Sequence, residues 1–187
     1  VSRTAIIAAW FLALGLVLKA AFDPSIRLVL QVVVGGALLL RLLVLVGRRR
    51  RLGRASPEEL DVMSGAEFED YVAERVRAAG WSTSAVLRRG DFGADLTAER
   101  AGVRVAVQAK RRAVNVGNRA VQEAVSGADF HGCEAAVVVT QARFTPAARR
   151  QAAAARLPVA LVDREALANF PQVLADVAAE VAARRKA

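Results

Sequence analysis

The chain has 187 residues, 55% hydrophobic and 24% charged, with a formal net charge of +9 and a single cysteine, Cys133. That length holds one domain of ordinary size plus an appendage, and one cysteine excludes both an intramolecular disulfide framework and a cysteine metal cluster. Residues 1–54 carry nine basic residues against the lone acid Asp23, while the remaining 133 residues carry 18 basic and 17 acidic ones. The excess charge therefore belongs to the N-terminal end and is weak evidence for nucleic acid.

The first elements are apolar. "TAIIAAWFLALGLVLKAAF", residues 4–22, and "IRLVLQVVVGGALLLRLLVLV", residues 26–46, flank the turn-forming "DPS". Each is about long enough as a helix to cross a hydrocarbon core of about 30 Å, so residues 1–50 are expected to form a transmembrane helical hairpin in contact with a lipid bilayer through residues 4–46. Lys19, Arg27 and Arg41 would snorkel to the interfaces, and Arg48–Arg51 place the rest of the chain on the cytoplasmic side. The expected location is the cell inner membrane or plasma membrane, multi-pass, with the downstream domain facing the cytoplasm. A competing reading takes residues 1–21 as a signal peptide; Lys19 and the missing small-x-small cleavage site weigh against it.

Residues 51–63 read as a linker or lead-in helix, with Ser56 as cap and Pro57 at the first helical position. From 64 the chain turns globular. Ser64 and Glu67 have capping-box spacing, and Phe68, Tyr71, Val72, Val76 and Ala79 recur at helical period. Glu67 is explained by the cap, whereas Glu69 stands beside the apolar face without such a role. "STSAVL" is a first strand, and the loop "RRGDFG" leads to a hairpin of "ADLTAE" and "VRVAVQAK". In the second arm Val103, Val105 and Val107 face one way, and Arg104, Ala106, Gln108 and Lys110 the other. Then come a basic loop, a helix over "RAVQEAVSGADFHG" with Gly127 as a weak point, the buried strand "EAAVVVT", a helix capped by Thr145, the strand "PVALVD" and a short helix "REALANF". Residues 171–187 suit a helical tail, either a charged terminus or a frayed surface segment. The alternation predicts an α/β domain over 64–170, a mixed central sheet flanked by helices.

No nucleophile elbow or phosphate loop is present, and His131 reads as a surface or satisfied residue. Asp95, Gln108 and Lys110 share adjacent strand ends. Asp95 and the Gln108 side-chain oxygen suit a hard divalent cation, and Lys110 suits a phosphate or an attacking water, although the spacing alone is common by chance.

Four blocks in order, "SGAEFED", "GDFGADL", "VAVQAK" and "NRAVQEAVSGADFHGCEAAVVVTQARFTPAARRQA", followed by "VALVD", are together more specific. Over residues 64–170 the chain resembles the Mrr-type restriction endonuclease family of the PD-(D/E)xK nuclease superfamily, as a membrane-anchored member. The resemblance implies a restriction-endonuclease-like fold and catalytic positions Glu69, Asp95, Gln108, Lys110 and Gln122. It implies Asp95, Gln108 and Glu69 around Mg2+ or Mn2+, with the neutral Gln108 in place of the superfamily's commoner acid. It implies double-stranded DNA as substrate, foreign or modified, cut by a type IV restriction-like deoxyribonuclease, with a homodimer as one way to reach both strands. Arg88, Arg89, Arg111, Arg112 and Arg119 flank the site as phosphate contacts, and Asp91 reads as a loop-shaping acid. The alternative is a catalytically silent or weak nuclease fold serving as a nucleic-acid-binding or membrane-associated interaction module.

Overall fold

A computed structural model describes residues 10, 15, 24–52, 55–85 and 93–186. The chain divides into two compact units, Val1–Arg48 and Arg49–Ala187.

Helix α1 (Pro24–Leu52), most of which belongs to the first unit, takes up the second apolar run and continues into the arginine cluster. The first arm of the expected hairpin lies, apart from Trp10 and Gly15, outside the described residues. Among the described residues no helix is long and apolar enough to cross a membrane. Along α1, Gln31 and Arg41 interrupt the run of leucine and valine. Most of its large apolar side chains, among them Leu28, Val29, Val32 and Val33, are more than half exposed.

The second unit opens with α2 (Pro57–Val62) and α3 (Gly65–Ala78), both started by a complete capping box, Ser56 with Glu59 and Ser64 with Glu67. Five strands follow in spatial order β1 to β5: β1 (Ser82–Ala85), β2 (Leu96–Arg100), β3 (Val103–Ala109), β4 (Ala135–Val139) and β5 (Val159–Val162). The first three pair antiparallel, and β3–β4 and β4–β5 pair parallel. The mixed sheet expected from the alternation is therefore present. Helix α4 (Asn118–Phe130) makes the first parallel crossover and α5 (Pro146–Ala153) the second. A 3-10 turn, Ala166–Asn169, runs straight into α6 (Phe170–Arg184).

The sheet separates two apolar layers. Val103, Val105, Val107 and Ala109 of β3 join Phe68, Tyr71, Val72 and Val76 of α3, while Ala106 joins Ala120, Val121, Ala124 and Ala128 of α4. The strict alternation read in β3 thus sorts its residues between α3 and α4 as expected. β4 is buried on both faces, which is why it shows no polar alternation. The terminal segment is not a surface tail. Phe170, Leu174, Val177 and Val181, at i, i+4, i+7 and i+11, are buried in the layer that holds α3.

Candidate active site

The β2–β3 hairpin turns at Ala101–Gly102, both with positive φ, the geometry that two-residue hairpins favour. This fixes the register Leu96 opposite Val107, and the Asp95 N–H extends the ladder by donating to the Val107 carbonyl at 3.0 Å. Asp95 is thereby placed level with Gln108 on the α4 side of the sheet. Its Oδ2 accepts from the Gln108 side-chain Nε2 and from the Ala109 N–H at 2.7 Å. Gln108 is only 3% exposed, so this bond answers the cost of burying an amide.

Lys110 follows at the strand end. Its N–H donates to the Val139 carbonyl at 2.8 Å, and its carbonyl accepts from the Thr140 hydroxyl at 2.7 Å. Both main-chain groups are thus tied to the end of β4, leaving only the side chain to move. The ammonium lies 2.9 Å from Glu123 Oε2 on α4, and Glu123 Oε1 accepts from Arg119 Nε at 3.0 Å. Burial pushes the Glu123 carboxyl up, but the hydrogen bonds and charges of Lys110 and Arg119 outweigh it and hold the group below the ordinary carboxylate range.

A backbone contact sets the spacing between Asp95 and Glu123. Gly93, with φ +94°, packs directly on α4, and a Cβ there would come within 2.2 Å of the Glu123 carbonyl oxygen. From the helix side, a Cβ on Gly127 would come within 2.8 Å of the Ala94 nitrogen. Gly127 is thus a contact point rather than a weak point, because only two glycines let the strand entry and the helix approach so closely.

The expected residues divide accordingly. Asp95, Gln108 and Lys110 are gathered with Glu123. Glu69 is half-buried on α3, which packs against the other face of the sheet. Gln122 is exposed, and the member of the "QE" pair that meets Lys110 is Glu123. Arg112 and Arg119 line a cleft of about 340 Å³ with Lys110, Asn115 and Gly117, and Arg111 lines a neighbouring one with Arg112. Arg88, Arg89 and Asp91 lie outside the described residues. Glu123, Thr140 and Gln141 were missed from the sequence. The helical period held a signal for the first: at 100° per residue Gln122 lies about 160° from Ala124, in the middle of the buried stripe, and Glu123 only about 100°.

A hard divalent cation takes oxygen ligands. The Asp95 carboxylate and the Gln108 amide fit that requirement once the Gln108 oxygen turns to where its Nε2 now donates. Among the described residues no group of three His, Cys, Asp or Glu side chains is placed to hold a metal ion. The set therefore carries little negative charge and suits a weakly held ion.

Solved structures with similarity include AF1548, a protein of unknown function, at 21% identity and TM-score 0.43, covering 51% of this chain and 60% of that one. The DNA modification-dependent restriction endonuclease AspBHI is similar at 15% identity and TM-score 0.39, over 70% of this chain and 43% of that one. MspJI restriction endonuclease, solved in complex with a 27-mer oligonucleotide, is similar at 20% identity and TM-score 0.39, over 67% and 38%. The chain thus matches 60% or less of each of these chains. No curated protein matches it. The Mrr_cat model, described as restriction endonuclease, matches residues 60–170, more than half of the sequence and the whole of the sheet with its crossover helices, and the chain belongs to that family.

Proposed function

We propose that the chain is a metal-dependent endonuclease that hydrolyses phosphodiester bonds of double-stranded DNA. The observation that carries this reading is the cluster of Asp95, Gln108 and Lys110 at adjacent ends of β2 and β3, inside the segment that matches the family. Asp95 and Gln108 would hold Mg2+ or Mn2+, which when bound supplies a Lewis acid for a phosphate oxygen; Glu69, on α3 across the sheet, would join them only by reaching past the strand ends. The Ala109 N–H fixes the Asp95 carboxylate from behind. Lys110, released from Glu123 as a phosphate arrives, places its ammonium where negative charge develops. Arg111, Arg112 and Arg119 neutralise flanking phosphates without reading sequence, joined in this reading by Arg88 and Arg89. Gln122 keeps an auxiliary role at the rim of the site. Foreign or modified DNA, the type IV class, is the substrate proposed, and either a pair of chains or two successive nicks would sever both strands.

The reading extends to a location at the inner or plasma membrane, with the nuclease unit on the cytoplasmic side. The exposed apolar side chains of α1 and the arginine run Arg48–Arg51 support it.

The test is supercoiled plasmid with magnesium or manganese. Cleavage that falls at least about 100-fold in Lys110→Ala, the scale of losing one charge-stabilising donor, is the expected result. Equal cleavage by both proteins would remove Lys110 from the chemistry. Binding without cutting on unmodified and methylated DNA alike would favour a silent nuclease fold acting as a binding module; the tie between Lys110 and Glu123 is the observation on that side.

A further inference from the structure

Between β3 and α4 the chain crosses the surface in a short loop held at both ends. At its start, the Arg112 N–H donates to Gln141 Oε1 at 3.3 Å, and Gln141 Nε2 donates back to the Arg112 carbonyl at 2.7 Å. Gln141 is buried, and both ends of its amide are committed to the loop's main chain. At the far end Val116 is buried and bridged to the segment before α5: its N–H donates to the Arg143 carbonyl at 2.8 Å, and its carbonyl accepts from the Thr145 N–H at 3.0 Å. Between these anchors the backbone bends at Ala113 and Val114, and Val114 stands 71% exposed. Ordering backbone costs conformational entropy, so a loop fixed in advance arrives at a partner with that cost already met.

Arg112, Val114 and Asn115 are walls of two clefts, one on each side of the loop. The first, of about 340 Å³, is completed by Lys110, Arg119 and Glu123. The second, of about 470 Å³, is lined by Arg111, Arg143 and Arg164 against the single acid Asp61. Arg164 pairs with the Asp61 carboxylate and Arg111 donates to its carbonyl, which fixes that wall. Arg143 pairs with Glu165 at 2.6 Å, with both side chains more than two-thirds exposed. An ion pair this exposed is weak, so a phosphate displaces Glu165 at little cost.

From this arrangement we infer that the Arg112–Val116 loop is a wedge for duplex DNA: Val114 enters a groove at a base step while the clefts on either side take backbone phosphates. The inference rests on the DNA reading above and adds to it the second cleft, the Gln141 clamp and the apolar tip. A narrow ridge with one apolar residue between two positive troughs suits a minor groove about 6 Å wide, bordered by two rows of phosphates. A side chain entering there partly unstacks a step and bends the duplex.

The test uses the full chain and a labelled duplex carrying 2-aminopurine, in chelator so that no strand is cut. In Arg112→Ala/Arg143→Ala, the slope of log affinity against log salt should become shallower by about two, one unit for each phosphate no longer neutralised. Val114→Ala should keep the slope, bind roughly tenfold more weakly and lose the fluorescence rise that reports unstacking, and Val114→Leu should restore both. All three positions are exposed, and an unchanged melting curve checks the fold. An unchanged slope in the double variant, or wild-type affinity and fluorescence in Val114→Ala, overturns the wedge. Plasmid cleavage lost in Lys110→Ala, alongside loop variants that bind like wild type, leaves the nuclease and removes the wedge. Binding with the expected slopes but no cleavage does the reverse.

Discussion

Glu123 is the residue on which the candidate site turns. It touches Lys110 and Arg119 through its side chain, and Gly93 presses on its main chain. Its carboxyl is held below the ordinary value of 4.5: burial raises it, and the bonds and charges of the two cations lower it further than burial lifts it. A depressed folded-state value means that the ion pairs stabilise the protein above the unfolded value and cease to as pH falls through the folded one. Glu123→Gln should therefore be less stable than wild type at pH 7, by about 1 kcal/mol for a carboxylate that is still about one-third exposed. That difference should shrink as pH falls below 4.5 and vanish only once pH has passed the lower folded-state value, where the wild-type carboxyl is protonated. Urea unfolding at both pH values measures it. A gap that persists unchanged in acid would assign the loss to packing instead of charge.

At the scale of elements, the contact between the β2 entry and α4 places Asp95 and Glu123, and it depends on Gly93 and Gly127. Gly127→Ala puts a methyl within 2.8 Å of backbone that has no side-chain freedom to yield. The expected cost is about 1–3 kcal/mol, the range for overpacking, with a parallel fall in cleavage as the strand bearing Asp95 is displaced. Ser126→Ala, at the exposed neighbour, is the control, and equal melting temperatures for the two variants would show that the helix simply moves away. The same contact explains what the sequence could and could not tell. Alternation from Val103 to Lys110 gave the two faces of β3, since a period of two depends only on the strand itself. Capping boxes at Ser56 and Ser64 gave the helix starts for the same local reason. Gly127 read as a flaw because its partner lies 34 positions earlier in the chain, and no local pattern reports a close approach. Thr140 and Gln141 were invisible as anchors of Lys110 and Arg112, because they act across a parallel strand pair formed only after the α4 crossover. The terminal helix looked like a tail because alanine weakens its apolar stripe, although Leu174 and Val181 are buried.

At the scale of the whole molecule, the two units have opposite surface problems. Arg49–Ala187 buries most of its apolar side chains in two layers across one sheet. Val1–Arg48 holds α1 with a long run of exposed leucine and valine, and contiguous apolar surface of that kind calls for a covering partner. Residues 1–54 carry nine basic residues against one acid, and the proposed location at an anionic lipid surface rests on that charge together with the apolar run. No described helix is long and apolar enough to cross a membrane, and alkaline carbonate extraction tests the proposed location. The full chain, expressed in bacteria, should stay in the membrane pellet through alkaline carbonate extraction, which strips proteins held by charge alone. A fragment of residues 49–187 should appear in the supernatant, unfold cooperatively and cut plasmid with the same dependence on Lys110, because among the described residues its two core layers begin at Ala55. Release of the full chain by carbonate would remove the lipid anchor while leaving the nuclease unit as described. A fragment that fails to unfold cooperatively would mean that the N-terminal unit supports the fold as well as its location.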